Sequence, residues 1–462
     1  METQENIPFP TESPKSRSPF RGSFRLFCLG TLSFFGYAYL NLLSGPELRP
    51  EAPDHWYLTR FLQTYAFLFV CYWLLITPLL RGKRMDPRHL WFAVAFGLLF
   101  RAVLLPSDLI LENDIYRYLW DGHTGVQGIN PYAYAPSDPK TEGYRTEYWK
   151  RINYPYVPTI YPPTLQWIFW LSELIYPGHV AGMKLMLLAF DVGVIFLLLS
   201  LLPKLNRPPE WCLVYAWSPL VIKEIANSGH ADAVSAFLLV GVLWLIEQQR
   251  RSWSAATLAF LTLTKFFGAL LLPLFHQIWR WRHFGLFAGM ILLLYLPFLS
   301  VEVNPFQGFM KFSSEWEFNG WIFNGARRTI KQIADLDAER ADRLARLLLF
   351  ASVLMVVLWQ SVRVAYRKEI LDLFHAVFIV IGVLLICSPV VNPWYLVWMI
   401  PLLALFPNRA WILMTGLVFL SYIYYYEKKF PPWIQPVEFG IFFLFFLKEY
   451  CLPPRKPETN GS

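Results

Sequence analysis

Long apolar runs alternate with short polar stretches over nearly the whole chain. A membrane-spanning helix needs about 20 predominantly apolar residues, and Lys and Arg concentrate in the loops on the cytoplasmic side. The clearest apolar runs occupy residues 24–44, 58–80, 90–106, 180–203, 284–300, 346–364 and 371–387. This pattern predicts an all-α polytopic membrane protein.

Shorter apolar runs complete the predicted bundle. They lie at residues 211–226, 231–247, 395–407, 410–426 and 434–449. All the runs together predict about 11 to 14 spans, with both chain ends in the cytoplasm. We expect the transmembrane domain to occupy residues 23–450, between a disordered, proline-rich cytoplasmic tail at 1–22 and a basic cytoplasmic tail at 451–462.

One apolar stretch does not fit a single span. If residues 254–278 crossed the membrane once, the basic sequence WRWRH after them would lie on the non-cytoplasmic side, against the usual charge distribution. A segment broken near Lys265 keeps both of its ends in the cytoplasm. Because broken helices at membrane depth are tolerated only where they line a cavity, we expect Lys265 to lie inside the protein.

Two polar loops are large enough to hold a functional site. In the predicted topology both are non-cytoplasmic, at residues 107–179 and 301–345. The first contains an apolar segment, 161–178, which is too short to span and is expected to lie at the membrane interface. The second ends in an amphipathic helix that leads into the span at 346–364.

The first loop carries the sequence ENDIYRYLWDGH, which is rich in ionisable residues. If Asp114 begins a helix, then Arg117, Tyr118 and Asp121 follow at i+3, i+4 and i+7 and share one face. An acid, a cation, a phenol and a second acid beside a membrane form a candidate active site. The alternative is a solvated loop whose charges only mark the membrane boundary.

A second polar turn, NSGHAD, is predicted on the same side of the membrane. It contains His230 and ends at Asp232. Ionisable groups near the membrane interior are costly to bury and are therefore functional-site candidates. For the neighbouring Lys223 and Glu224, a structural role, as a snorkelling lysine and an ion pair between helices, is as good an interpretation as a functional one.

Composition narrows the class of protein and its partners. The chain is 55% hydrophobic and 16% charged, whereas soluble domains carry about 25% charged residues. The net charge of +8 comes from basic residues in short loops between apolar runs, so we expect membrane lipids and no nucleic acid as partners. The five cysteines have neither metal-ligand nor disulfide-framework spacing.

The chemistry of the loops favours a lipid-linked sugar as substrate. The sequence contains no nucleotide-binding glycine loop, and a non-cytoplasmic enzyme needs an activated substrate that arrives through the membrane. In a polyprenyl-phosphate sugar, the phosphate is expected to bind Lys265, His230 or Arg117, and a carboxylate such as Asp114 can accept the proton of an acceptor hydroxyl.

Several of these residues have structural alternatives. Lys265 is also suited to end a broken helix, and Arg117 to pair with Asp114 or Asp121. Tyr118 is more often a packing residue than a surface for sugar stacking. Asn130, in the sequence GINPY, is first a turn residue and only second a sugar contact.

The chain resembles the polyprenyl-phosphate-sugar-dependent, mannosyltransferase-like members of the GT-C superfamily of membrane glycosyltransferases. The resemblance rests on ENDIYRYLWDGHTGVQGINPYAYAP, YPPTLQWIFWLSELI, WSPLVIKEIANSGHADA, TKFFGALLLP and SPVVNPWYLVWMIPL. The order of YPPTLQ, Lys184, Asp191 and WSPLVIKEIANSGHADA is also similar to that in the catalytic subunit of GPI mannosyltransferase I.

The resemblance implies an inverting transfer of a hexose, with mannose favoured, to a lipid, glycan or protein acceptor at a bacterial inner membrane. It implies Asp114 as general base, with Glu112 in reserve. Asp232 is a binding candidate because of its position in the NSGHAD turn. The family often has an acidic pair where this sequence has Asn113 and Asp114, so a divalent cation is left open and no cofactor is predicted.

Two other functions fit the same loops. A transporter or flippase of a lipid-linked sugar uses such a cavity without chemistry, but it often shows inverted repeats, and the sequence shows none. A non-catalytic assembly subunit has no need of Asp114.

Overall fold

The computed structural model describes residues 23–300 and 303–451. The predicted tails at 1–22 and, apart from Cys451, 451–462 lie outside these residues. The first half of the described chain forms ten α-helices: α1 (Ser23–Leu43), α2 (His55–Leu80), α3 (Pro87–Leu104), α4 (Asp114–Val126), α5 (Pro163–Ile175), α6 (Val180–Lys204), α7 (Leu213–Ala216), α8 (Pro219–Val221), α9 (Asp232–Glu247) and α10 (Arg251–Thr262).

Nine more α-helices follow in the second half. They are α11 (Trp281–Tyr295), α12 (Gln307–Glu315), α13 (Trp321–Ile333), α14 (Ala338–Arg367), α15 (Ile370–Cys387), α16 (Ile400–Leu405), α17 (Arg409–Leu417), α18 (Ile423–Glu427) and α19 (Ile434–Cys451). Short 3₁₀ helices and a π-helix, Ile222–Asn227, connect them, and the described residues contain no β-strand. The predicted all-α polytopic fold is confirmed.

Seven helices of the described chain are long and apolar enough to cross a membrane by themselves. They are α1, α2, α3, α6, α11 with its 3₁₀ extension to Phe298, α14 and α15. The other predicted spans fall on shorter or interrupted helices: the run 211–226 contains α7, α8 and part of the π-helix, and the run 410–426 contains α17, a 3₁₀ turn and part of α18. Proline and changes of helix type divide these runs, which a count of apolar residues does not reveal.

Side-chain caps set the starts of two spans. Asp54 accepts hydrogen bonds from the backbone N–H groups of Trp56 and Tyr57 at the start of α2. Asp86 accepts one from Arg88 at the start of α3, where Pro87 is the first helical residue. These contacts satisfy N–H groups that have no partner within the helix.

The stretch 254–278 is broken as predicted. The helix α10 ends at Thr262, Lys265 is extended, and a 3₁₀ helix, Phe266–Gln277, continues the chain and packs back against α10. The break therefore brings Lys265 into the protein rather than onto a helix surface.

A buried ion pair links two of the spans. Arg101 in α3 donates to Asp191 in α6 at 2.5 Å, and the Tyr215 hydroxyl donates to the same carboxylate at 2.7 Å. Arg101 also donates to the Ala216 carbonyl at 2.6 Å. With each charge paired and hydrogen-bonded, the pair is tolerated in the apolar interior.

The second polar loop differs from the prediction. The predicted single amphipathic helix before the span is two helices, α13 and α14, because the chain turns between them and Asp337 caps the start of α14. Farther up the loop, Phe318 N–H donates to the Pro389 carbonyl at 3.1 Å, and Val391 N–H donates to the Phe318 carbonyl at 2.7 Å. These bonds join the loop to the turn after α15.

Candidate active site

Asp114 is the first residue of α4, as the sequence predicts. The positive end of the helix dipole therefore faces its carboxylate. The Asn153 side-chain amide donates to Asp114 Oδ1 at 2.6 Å and to Asn113 Oδ1 at 3.0 Å. Asn113 in turn donates to Glu51 at 3.0 Å, so the start of the helix is tied to two other loops.

His230 lies deeper than Asp114 and is fully buried. Its ring is stacked on Trp394, with 4.0 Å between the ring centroids. Its Nε2 lies 3.4 Å from Glu224 and 3.8 Å from Glu112, and its Nδ1 lies 3.9 Å from Asp114. None of these three contacts has hydrogen-bond geometry. The imidazole is thus enclosed by three carboxyl groups and the Trp394 ring, and it has no exposed surface for a ligand.

Glu112, directly before this helix start, is almost completely buried. Its Oε1 accepts a hydrogen bond from the Tyr425 hydroxyl at 3.3 Å. Burial raises the pKa of Glu112 well above its ordinary value; Lys223 opposes the shift, and Glu224 and Asp114 add to it. A carboxyl group that favours its protonated form is poorly suited to accept a proton.

Lys223 and Glu224 form a buried pair on the π-helix. Lys223 Nζ lies 3.3 Å from Glu224 and donates to the Tyr422 hydroxyl at 2.6 Å. The Tyr422 hydroxyl donates to the other oxygen of Glu224. Both side chains are fully buried, so the interpretation as an ion pair inside the protein holds and the snorkelling lysine does not.

Lys265 and Asp232 form a second ion pair beside this cluster. Lys265 Nζ lies 3.4 Å from Asp232 Oδ1, which also accepts a hydrogen bond from the Trp398 indole at 2.7 Å. The ammonium group lies 4.6 Å from the centroid of the Tyr395 ring. The two ion pairs lie close together, because His230 stacks on Trp394 and Lys265 contacts Tyr395, the next residue in the chain.

Arg117 and Asp121 are paired with each other away from Asp114. Arg117 Nε donates to Asp121 at 2.8 Å, and another guanidinium nitrogen donates to the Val157 carbonyl at 2.9 Å. Asp121 also accepts from the Thr159 hydroxyl at 2.5 Å and the Gln166 amide at 3.0 Å. The network connects α4 to the loop before α5, and the predicted contact of either residue with substrate stays a prediction.

Two further candidates have packing contacts. Tyr118 is buried and stacked on Phe169, with 4.7 Å between ring centroids. Asn130 donates to the Phe298 carbonyl at 2.9 Å and accepts from the Tyr132 N–H at 3.0 Å, as a turn residue does. In the structure, Tyr118 is therefore a packing residue and Asn130 a turn residue.

The site also contains residues that sequence reasoning did not assign. Asn153 contacts Asp114 from a polar loop in which no motif marks it. Tyr422 and Tyr425 approach from an aromatic segment that reads as an ordinary span. Trp394, which stacks on His230, belongs to the sequence SPVVNPWY. A proline turn beside aromatic residues is the one feature of the sequence that points to this segment.

The described part of the chain shows no preformed cluster for a divalent metal. Among residues 23–300 and 303–451, no group of three or more His, Cys, Asp or Glu side chains is placed to hold an ion. The oxygens of Asn113 and Asp114 that accept from Asn153 are already occupied. The divalent cation that the resemblance leaves open stays a prediction.

Two family models match the chain. Residues 51–281 match the MptA_B family, Alpha-(1->6)-mannopyranosyltransferase, N-terminal domain, and residues 333–426 match the MptB C-terminal domain. No curated protein matches the chain. The site contains residues from both matched parts, because His230 lies in the first and its stacking partner Trp394 in the second.

The fold and these matches define a glycosyltransferase that is an integral membrane protein. The first match alone covers half of the 462 residues. The chain belongs to the MptA_B family of mannopyranosyltransferases.

Proposed function

We propose that the protein transfers a mannosyl group from a polyprenyl-phosphate donor to a hydroxyl group of a glycan, lipid or protein acceptor, with inversion at the anomeric carbon. One observation carries the assignment of roles. Among the described acidic and basic residues around His230 and Lys265, an acid and a cation, Asp114 and Lys265, stand out by the exposed fraction of their side chains. The Asp114 side chain is 18% exposed and that of Lys265 is 20% exposed. The other members are exposed by 4% or less: Glu112, His230, Glu224 and Asp232.

Asp114 acts as the general base. As the acceptor oxygen attacks the anomeric carbon from the face opposite the phosphate, its proton passes to the Asp114 carboxylate. The bond from the anomeric carbon to the phosphate oxygen breaks, and its electron pair leaves with the lipid phosphate. A single displacement of this kind inverts the configuration.

Lys265 binds the donor phosphate. Its ammonium group lies at the break in the chain and its side chain is one-fifth exposed, and among the described residues Asp232 is the one carboxylate at ion-pair distance. His230 is less suitable because it is fully buried, and Arg117 because its guanidinium is almost fully buried and donates to both Asp121 and the Val157 carbonyl. No step of the proposed reaction needs a metal ion.

The topology supports a reaction on the non-cytoplasmic side of a bacterial inner membrane. The basic loops that follow α2 and α9 favour the cytoplasm, and the start of α4 lies one span away from the first of them. A donor whose isoprenoid tail lies in the bilayer brings its sugar to that surface without a nucleotide.

The test is transfer from labelled polyprenyl-phosphate mannose by purified protein in liposomes. Asp114→Asn should abolish product formation while leaving the thermal unfolding temperature nearly unchanged. Asp108→Asn is the matched control, because Asp108 is an exposed carboxylate in the same loop, and it should transfer normally. Transfer by Asp114→Asn at the wild-type rate would overturn the proposal, and parallel assays with glucose and arabinose donors would identify the sugar.

A further inference from the structure

Exposed aromatic side chains follow Asn153, the residue that holds the Asp114 carboxylate. Tyr154 and Tyr156 are 48% and 57% exposed, and they follow the residue that donates to Asp114. The ring of Trp316, from the second polar loop, lies 4.7 Å from that of Tyr154, and the rings of Tyr154 and Tyr156 are 6.3 Å apart between centroids. We call these three residues the aromatic platform.

Contacts within and between the two polar loops fix the backbone near the platform residues. Tyr154 has φ of +46°, a conformation that non-glycine residues rarely adopt and that persists only when the surroundings impose it. Gly308 of α12 lies directly against the Thr159 carbonyl, so that no side chain fits between the two loops. Arg346 donates to the Ser313 carbonyl at 3.0 Å, which fixes the end of α12 close to Trp316.

The platform has the chemistry of a carbohydrate surface. Aromatic faces stack on the C–H faces of sugar rings, and the phenol and indole groups offer hydrogen bonds at the edges. The Lys311 ammonium lies 4.9 Å from the centroid of the Tyr156 ring and adds donors for sugar hydroxyls. Large rings that move little are suited to binding because few side-chain rotations are lost.

The position of the aromatic platform distinguishes it from aromatic residues that only lie at the membrane interface. Aromatic residues that only face lipid headgroups need no contact between two distant loops. Here Trp316 of the second loop contacts Tyr154 of the first loop. Tyr154 directly follows Asn153, the residue that fixes the general base. Trp316 and Lys311 also lie between residues 281 and 333, in the stretch that neither family model covers.

We propose that Tyr154, Tyr156 and Trp316 bind a sugar ring of a glycan acceptor, adjacent to the ring whose hydroxyl receives the mannosyl group. This inference rests on the proposed transfer reaction and selects the glycan among its acceptors. It requires that an acceptor of several sugars binds better than one of a single sugar.

The experiment compares two acceptors, octyl α-mannoside and an octyl α-(1->6)-linked mannotrioside, in steady-state assays with a fixed donor. Tyr154→Ala and Trp316→Ala should each raise KM for the trioside about tenfold, which corresponds to ~1.4 kcal/mol of lost binding. KM for octyl mannoside and for the donor should stay unchanged. Tyr154→Phe, which keeps the ring, should retain most of the preference for the trioside.

Tyr176→Ala is the matched control, since Tyr176 is 50% exposed at the end of α5 and does not contact the platform. It should leave both KM values unchanged. The proposal would be overturned by an unchanged trioside KM in both platform variants, or by an equal increase for both acceptors. Since the two variants lie on separate loops, one of them can be measured even if the other does not fold.

Calorimetric titration of the trioside into Asp114→Asn separates the two proposals. If no donor supports transfer by the wild-type protein, but Asp114→Asn binds the trioside and loses this binding when Tyr154→Ala is added, the proposed reaction fails and the platform stands. If the wild-type protein transfers mannose and Asp114→Asn shows no trioside binding, the platform fails and the reaction stands.

Discussion

The Asn153 amide and the Asp114 carboxylate are joined by a hydrogen bond of 2.6 Å across 39 residues of chain. One carboxylate oxygen is thereby fixed, while the other lies 3.9 Å from the imidazole of His230. A general base works best when its geometry is set before the substrate arrives. Asn153 is therefore a positioning residue for the proposed base rather than a group that reacts.

Removing this contact should slow the chemical step. We expect Asn153→Ala to lower kcat about tenfold with little change in the donor KM, because the carboxylate loses its orientation but not its access to substrate. Asn153→Asp should lower kcat further, since a second carboxylate then faces Asp114. Steady-state kinetics with polyprenyl-phosphate mannose measures both effects. Asn304→Ala, an exposed asparagine in the second loop, is the control, and a wild-type kcat for Asn153→Ala would remove the assigned role.

The pair of Lys265 and Asp232 allows binding and stability to be separated. Lys265→Met should raise the donor KM at least about tenfold, because the phosphate loses its cation. It should also lower the free energy of unfolding by on the order of 3 kcal/mol, because the buried Asp232 carboxylate loses its ion-pair partner. Donor kinetics and thermal unfolding in detergent measure the two effects independently.

The double variant Lys265→Met/Asp232→Asn provides the decisive comparison for that pair. The amide oxygen introduced by Asp232→Asn can still accept from the Trp398 indole, so stability should recover most of its wild-type value. The donor KM should remain high. Recovery of the donor KM together with stability would show that Lys265 only stabilises the fold.

The membrane class and the start of α4 were predictable from the sequence because they depend on local patterns. Apolar length predicts spans, and the acid at position 114 with polar residues before it is typical of a helix start. The break at Lys265 was predictable from charge asymmetry alone. The partners of the site residues were not, since Asn153, Trp394 and Tyr422 approach from segments distant in sequence.

The pairing of Arg117 illustrates the limit of reasoning from helix faces. Spacing brings Asp114 and Asp121 equally close to this arginine, at one turn before and one turn after it. The structure selects Asp121 because Thr159 and Gln166 complete its hydrogen bonds, and Asp114 is bound by Asn153 instead. Only contacts from other segments decide between the two carboxylates.

The raised pKa of Glu112 has a measurable consequence for stability. In the folded protein the carboxyl group keeps its proton above its ordinary pKa of 4.5, whereas the unfolded chain releases it there. The folded state therefore binds more protons, and stability should fall as the pH rises from about 4.5 toward the folded pKa, by up to ~1.4 kcal/mol per pH unit.

Glu112→Gln should remove this contribution, since a glutamine does not titrate. Thermal unfolding between about pH 5 and pH 8 should then show a flatter profile than the wild type, with the greatest relative gain at the higher pH. Glu142→Gln is the control, because Glu142 is an exposed carboxylate in the same loop, and its profile should follow the wild type. Parallel profiles for Glu112→Gln and the wild type would contradict the assignment.

Gly229 controls the approach of the His230 turn to α4. Its φ is +68°, and an added Cβ would lie 2.6 Å from Ile115 Cδ1, next to the proposed base. Gly229→Ala should therefore cost about 1–2 kcal/mol through the unfavourable backbone conformation, and more if Ile115 cannot move. Because Ile115 follows Asp114 directly, a shift of the α4 backbone that makes room for the methyl group would also move Asp114, and we expect kcat to fall together with the unfolding temperature.

Gly325→Ala is the comparison that isolates this effect. Gly325 lies within α13, where no atom occupies the space of an added Cβ, so alanine should stabilise the helix by up to about 1 kcal/mol and leave kcat unchanged. Thermal unfolding and transfer assays on both variants show whether replacing any glycine lowers stability and kcat, or only the replacement at Gly229. If Gly229→Ala keeps the wild-type kcat and unfolding temperature, the close contact between the His230 turn and Ile115 does not position Asp114, and the role assigned to that turn has to be abandoned.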